Sequence, residues 1–130
     1  MANPNIVNVT TIYGTTTYLT PSGTSAVVLL PNAASSGKVF KINQLVVANT
    51  TASAANATVS IYTNGAVAQG SAPSGGTAYP VVSTISVPAN ASLVAVDKTT
   101  AIYLMEGTSI TVTSGTGSAL TYSISYEDIS

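Results

Sequence analysis

An all-β fold, two antiparallel sheets packed as a jelly-roll-like sandwich, is what this sequence predicts. An immunoglobulin-like sandwich is the alternative, and it would lack the usual Cys-Trp-Cys core because the chain has no Cys and no Trp. Three observations carry the prediction. Apolar and hydroxyl side chains alternate over short runs, the period of a strand with one buried face. Gly, Pro and Asn-Gly interrupt the chain every several residues, which leaves no room for a capped helix of ten or more. The chain has 130 residues and an apolar fraction of 45%, enough for one domain with one sizeable core. We therefore expect a single domain over 1–130, with 1–8 as an N-terminal arm.

The elements follow in chain order. Residues 6–13 read as a first strand, with Tyr18 and Leu19 ending a separate short one after Gly14. Residues 26–30 are apolar throughout and stop at Pro31. In 39–48, Phe40, Ile42, Val46 and Ala48 take one face and Leu45 and Val47 the other, the pattern of a strand buried on both sides. Residues 50–56 are Ala-rich but short and read as a loop. Val59 and Ile61 then alternate with Thr58, Ser60 and Tyr62, and Asn64-Gly65 follows at once as a tight-turn signal. Residues 70–76, rich in Gly and Ser, are expected to be the least ordered part. Strands are expected at 79–87, 93–96 and 101–105. Ile110 and Val112 alternate with Ser109, Thr111 and Thr113, and 114–118 reads as a hairpin loop. Leu120, Tyr122, Ile124 and Tyr126 then share one face of the last strand, opposite Thr121, Ser123 and Ser125.

Composition narrows the chemistry. Only 5% of the chain is charged, against roughly a quarter in an ordinary domain. There is no His or Arg, so nucleophile–His–acid catalysis has no base. Zinc and iron sites lack their Cys and His ligands. Lys38, Lys41 and Lys98 lie near strand ends and read as solvated amines rather than as partners of a catalytic Ser. Asp97 and Glu106 flank the 101–105 strand. As a pair they could serve glycoside hydrolysis or help hold a calcium ion, but no loop has dense oxygen-ligand spacing. Their plainer reading is a turn acid beside Lys98 and a strand-end acid. Glu127 and Asp128 are adjacent and would point to opposite faces. We expect no enzyme activity, no catalytic residues, no metal and no cofactor.

Net charge is −1 with no basic patch, so phosphate neutralisation on nucleic acid is not expected. No apolar run approaches the length of a spanning helix, and the short strands and scattered Tyr do not suggest a membrane barrel. The first residues have neither the basic nor the apolar region of a signal peptide, so folding in the cytosol is expected. Asn-x-Ser/Thr patterns at Asn8, Asn49, Asn56 and Asn90 arise readily in such a composition. The polar faces use Thr, Ser, Asn and Gly where charge would be the usual guard against aggregation. That choice suits a surface covered in a permanent assembly. The candidate contact residues are Asn3, Pro4, Asn5 and Ile6, as an arm that could pair with a neighbour's sheet edge, and Tyr62, on the hydroxyl face of its strand.

Five stretches carry a resemblance: Ala2 to Val9 (ANPNIVNV), Ser36 to Ile42 (SGKVFKI), Val87 to Leu93 (VPANASL), Ile102 to Gly107 (IYLMEG) and Ser125 to Ile129 (SYEDI). Together they resemble small virion structural proteins of tailed bacteriophages, especially myoviruses of marine cyanobacteria, over essentially the full length. These motifs are structural and assign no active-site residues. The resemblance implies a virion component assembled in the host cytoplasm. A capsid decoration or cement protein at capsomer junctions is expected, its partner the major capsid protein or another virion protein. A homo-oligomer is expected from the neutral surface, with a trimer favoured because closed symmetry suits a three-fold lattice site. A tail, neck or fibre component, or a module binding host glycan, is the alternative.

Overall fold

The computed structural model describes residues 4–130 and contains nine strands: β1 (Ile12–Leu19), β2 (Val27–Asn32), β3 (Val39–Asn49), β4 (Ala55–Tyr62), β5 (Ala78–Val87), β6 (Ser92–Val96), β7 (Ile102–Leu104), β8 (Thr108–Ser114) and β9 (Leu120–Ile129). A single 3-10 turn, Lys98–Thr100, lies between β6 and β7. Every strand pair is antiparallel. One sheet runs β1-β9-β3-β6, with β7 also on β3, and the other runs β2-β8-β4-β5. Counting β6 and β7 as one interrupted strand, this is the strand order of an eight-stranded jelly roll, two Greek keys folded face to face.

The alternation in the sequence decides what each sheet buries. Leu120, Tyr122 and Ile124 of β9 face Ile42, Leu45 and Val47 of β3 and, across the sandwich, Val59 of β4 and Ile110 of β8. Each aliphatic side chain so buried stabilises the fold by about 1.5–3 kcal/mol. Tyr122 is fully buried, as its place on the Leu120–Ile124 face requires, and Tyr126 packs at the core's rim with its ring 5.0 Å from Phe40.

Several boundaries differ from the sequence reading. The first strand is Ile12–Leu19, with Gly14 inside it, and residues 6–11 are not strand. Strong pairing of Tyr18 and Leu19 with Ser123 and Tyr122 carries the ladder straight through the glycine. The 115–119 segment is no hairpin: it crosses from β8 in one sheet to β9 in the other. Asn64-Gly65 does not close a two-residue turn either. Such a turn needs positive φ at both central residues, and neither has it. The Asn64 side chain instead accepts from Ala66 N–H and donates to the carbonyl of Ser74, opening a long loop.

That loop, 64–76, is closed at its neck by Thr63 and Thr77, whose backbone groups meet at 3.1 Å. It folds back over the outer face of the second sheet in the manner of an Ω-loop. The Ser109 hydroxyl donates to Asn64 O, and Gly70 and Ser71 exchange backbone bonds with Val28 at 2.8 and 2.9 Å. The 70–76 segment is thus pinned by hydrogen bonds, contrary to its flexible composition. The hydroxyl face beneath it, Ser60, Ser109 and Thr111, is buried.

Two buried asparagines fasten the loops at opposite ends. Asn32 donates to the carbonyls of Lys38 and Leu104, both at 3.0 Å, and accepts from the Ser36 hydroxyl. Asn49 donates to Ser53 O and Val87 O and accepts from the backbone and hydroxyl of Thr51.

Candidate interaction surface

The sparse charges are spent locally. Lys38 and Asp128 form an ion pair at 3.0 Å, and Lys41 and Glu127 approach to 4.0 Å, both at half-exposed sites where such pairs contribute about 0–1 kcal/mol. Adjacent Glu127 and Asp128 serve different lysines, as opposite faces require. Asp97 caps the 3-10 turn: its carboxylate accepts from Thr99 N–H and hydroxyl, and its own N–H donates to the Thr100 hydroxyl. Those bonds, the Thr99 hydroxyl foremost, hold the Asp97 carboxyl below its ordinary range. Its partner is therefore this turn rather than Lys98.

The strand register keeps the acid pair apart. Asp97 follows Val96, which lies opposite Leu45, and Glu106 lies two residues past Leu104, opposite Phe40. Along β3 that separates them by roughly 15–20 Å at about 3.3 Å per residue. The separation exceeds the roughly 10 Å reach of a glycosidase pair. No cluster of three acids, His or Cys is present among the described residues.

The predicted contact residues fare differently. Asn3 lies outside the described residues. Asn5 forms a turn, its side chain accepting from Val7 N–H and its carbonyl from Asn8 N–H. Pro4 and Ile6 lie over Val39, Tyr103 and Met105, lining a shallow apolar depression on the outer face of the first sheet. Thr10 and Thr11 bond to Ser130, so the arm is tied to its own chain at that point. Tyr62 is corrected outright. It lies on the predicted hydroxyl face, but that face is covered by the 64–76 loop, and Tyr62 is only 8% exposed with its hydroxyl accepting from Gly76 N–H.

What the sequence did not single out are two edge strands. β1 exposes Ile12, Tyr13 and Tyr18, the last at 71%, and β5 exposes Tyr79, Val81 and Ile85. Both are neutral. The signal was present in β1, where Ile12 and Tyr18 share one face and Tyr13 lies on the other, in a strand with no apolar run to bury it.

The four sheet edges are not equivalent. Backbone bonds from Gly70 and Ser71 cover β2. β5 carries Pro80, two register shifts and a positive φ at Thr84, the bulges and proline that blunt an edge. β6 and β7 are short and broken by the 3-10 turn. β1 is paired with β9 through all of Ile12–Leu19 without a shift, and it has neither proline nor charge. Comparison with protein-family models, curated proteins and solved structures finds no match.

Proposed function

We propose that this chain is a non-enzymatic virion structural protein of a tailed phage. It sits on the capsid exterior, packs at capsomer junctions and stabilises the shell by added buried area. The observation that carries this reading is the surface: two neutral, Tyr-bearing edge strands on a sandwich with few charges, most of them held in two ion pairs and a cap. Large apolar contact with polar tips is the composition of interface cores. The fold is compatible with it but does not decide it, since jelly rolls serve capsids, lectins and enzymes alike. The sequence resemblance supplies the particle.

Quantitative mass spectrometry of purified particles, with cryo-EM of the capsid, tests the reading. At least one copy per capsomer, seen as sandwich density on the shell, is expected. A few copies confined to the tail would favour the tail, fibre or glycan-binding reading, and absence from the particle would overturn the proposal.

A further inference from the structure

We propose that β1 is a self-pairing edge: two copies of this chain join β1 to β1 antiparallel about a two-fold axis at Thr15, fusing their β1-β9-β3-β6 sheets into one. The inference stands on edge geometry and is independent of the particle reading.

The hydrogen-bond parity fixes which groups are free. Thr11 and Ser130 exchange both backbone bonds, Thr11 N–H to Ser130 O and Ser130 N–H to Thr11 O, each at 3.0 Å. Bonded and non-bonded pairs alternate along an antiparallel ladder. Tyr13, Thr15, Thr17 and Leu19 therefore turn their N–H and C=O groups toward β9. Ile12, Gly14, Thr16 and Tyr18 turn theirs outward, where no backbone partner stands among the described residues.

A two-fold axis perpendicular to the sheet keeps each face on its own side, so only residues of like parity can sit opposite. With the axis at Thr15, Ile12 faces Tyr18 of the second copy and Gly14 faces its Thr16. All four outward residues are then bonded in both copies, about eight hydrogen bonds in all. Centring the axis on Thr16 instead would place Ile12 opposite Thr20, beyond the end of β1. The Thr15 register also covers Ile12 and Tyr18, exposed at 54% and 71%, with each other. An Ile–Tyr pair is a favourable cross-strand contact. Tyr18 and Ile12 flank Gly14 and Thr16, which are small enough to let the two strands lie flat. The strand carries no charge, so a copy meets no repulsion from its mate. A two-fold contact closes after two copies, so this edge specifies a dimer where the sequence favoured a trimer.

Thr16→Pro is the sharp variant. It removes an outward N–H at the centre of the pairing and leaves every backbone bond to β9 in place, giving up only the exposed hydroxyl contact of Thr16 with Ser125 at 2.9 Å; this is the position at which an edge strand tolerates proline. Light scattering of the full-length protein at high-micromolar concentration is expected to give a dimer. Thr16→Pro, or Tyr18→Lys should the proline variant fail to fold, is expected to weaken it about tenfold or more with the β-sheet circular dichroism retained. The chain has no Cys, so a single introduced thiol reads the register. Across the axis Thr15 meets Thr15 as a non-bonded pair, about 4.5 Å between Cα atoms, within disulfide range. Thr17 lies about 13 Å from its mate. Thr15→Cys should crosslink under mild oxidation and Thr17→Cys should not. A monomeric wild type, a dimer indifferent to the β1 variants, or crosslinking of Thr17→Cys as fast as Thr15→Cys would overturn the proposal.

Discussion

Replacing Asn49 with Ala removes a dense side-chain hydrogen-bond node that ties β3 to the β3–β4 connection and to the end of β5. The residue is 3% exposed at the end of β3 and makes four bonds, two donated at 2.8 and 3.0 Å to Ser53 O and Val87 O, and two accepted at 3.0 and 2.8 Å from Thr51. A hydrogen bond is worth about 1 kcal/mol net, and leaving a buried partner unsatisfied costs about 1–3 kcal/mol. Some of the freed groups can reach water, because Ser53 and part of Thr51 are exposed. The Val87 carbonyl cannot, since its bond to Asn49 is buried. The expected loss is about 3–4 kcal/mol. For a domain of this size that lowers the melting midpoint by about 10–15 °C. Asn56→Ala, at an exposed position in β4, should stay within about 0.5 kcal/mol of wild type. Urea unfolding followed by circular dichroism gives both values from the midpoint and slope. A loss below about 1 kcal/mol at Asn49, or equal losses at the two positions, would refute the node as the fastener of the β3–β4 and β5–β6 connections.

Two further outcomes follow from single side chains. Burial raises the Tyr122 hydroxyl above its ordinary pKa, as burial and then the charge of Asp128 do for Tyr126. A raised folded-state pKa gives stability that is full below the unfolded value, about 10, and is lost as pH rises through the folded one. With no His, stability should be nearly flat from about pH 6 to 9 and fall above about 10. Tyr122→Phe should lose about 1–2 kcal/mol at neutral pH, because its hydroxyl donates to Thr113 O and meets the Ser114 hydroxyl, and should soften the alkaline fall. Denaturant titrations at several pH values check both. Gly65→Ala would drive a methyl into the carbonyl oxygens of Asn32 and Thr108, backbone on both sides. A loss of about 1–3 kcal/mol is expected, together with faster proteolysis of the 64–76 loop as it lifts from Tyr62.

The sandwich was legible because period-2 alternation records burial directly, and β9 shows it without interruption from Leu120 to Ile124. The jelly-roll order was harder to see. Whether a connection turns back within its sheet or crosses to the other depends on long-range pairing, and 114–118 looks the same either way. Tyr62 shows the other limit. Its face was assigned correctly, but a face opposite the core is exposed only if nothing returns over it, and the 64–76 loop returns. The β1 edge was hidden by Gly14, which reads as a break and lies inside a ladder that β9 enforces. Asn32 and Asn49 resemble the other asparagines in sequence. Only the fold brings carbonyls from distant elements, such as Leu104 and Val87, to their amides.

If the protein is a virion component as proposed, its nearly uncharged surface holds it against its neighbours by apolar contact and neutral hydrogen bonds. Washing purified particles with about 1 M salt, where charges are screened beyond about 3 Å, tests it directly. The protein should remain with the particle through that wash and leave only under denaturant. Release at moderate salt would contradict the claim.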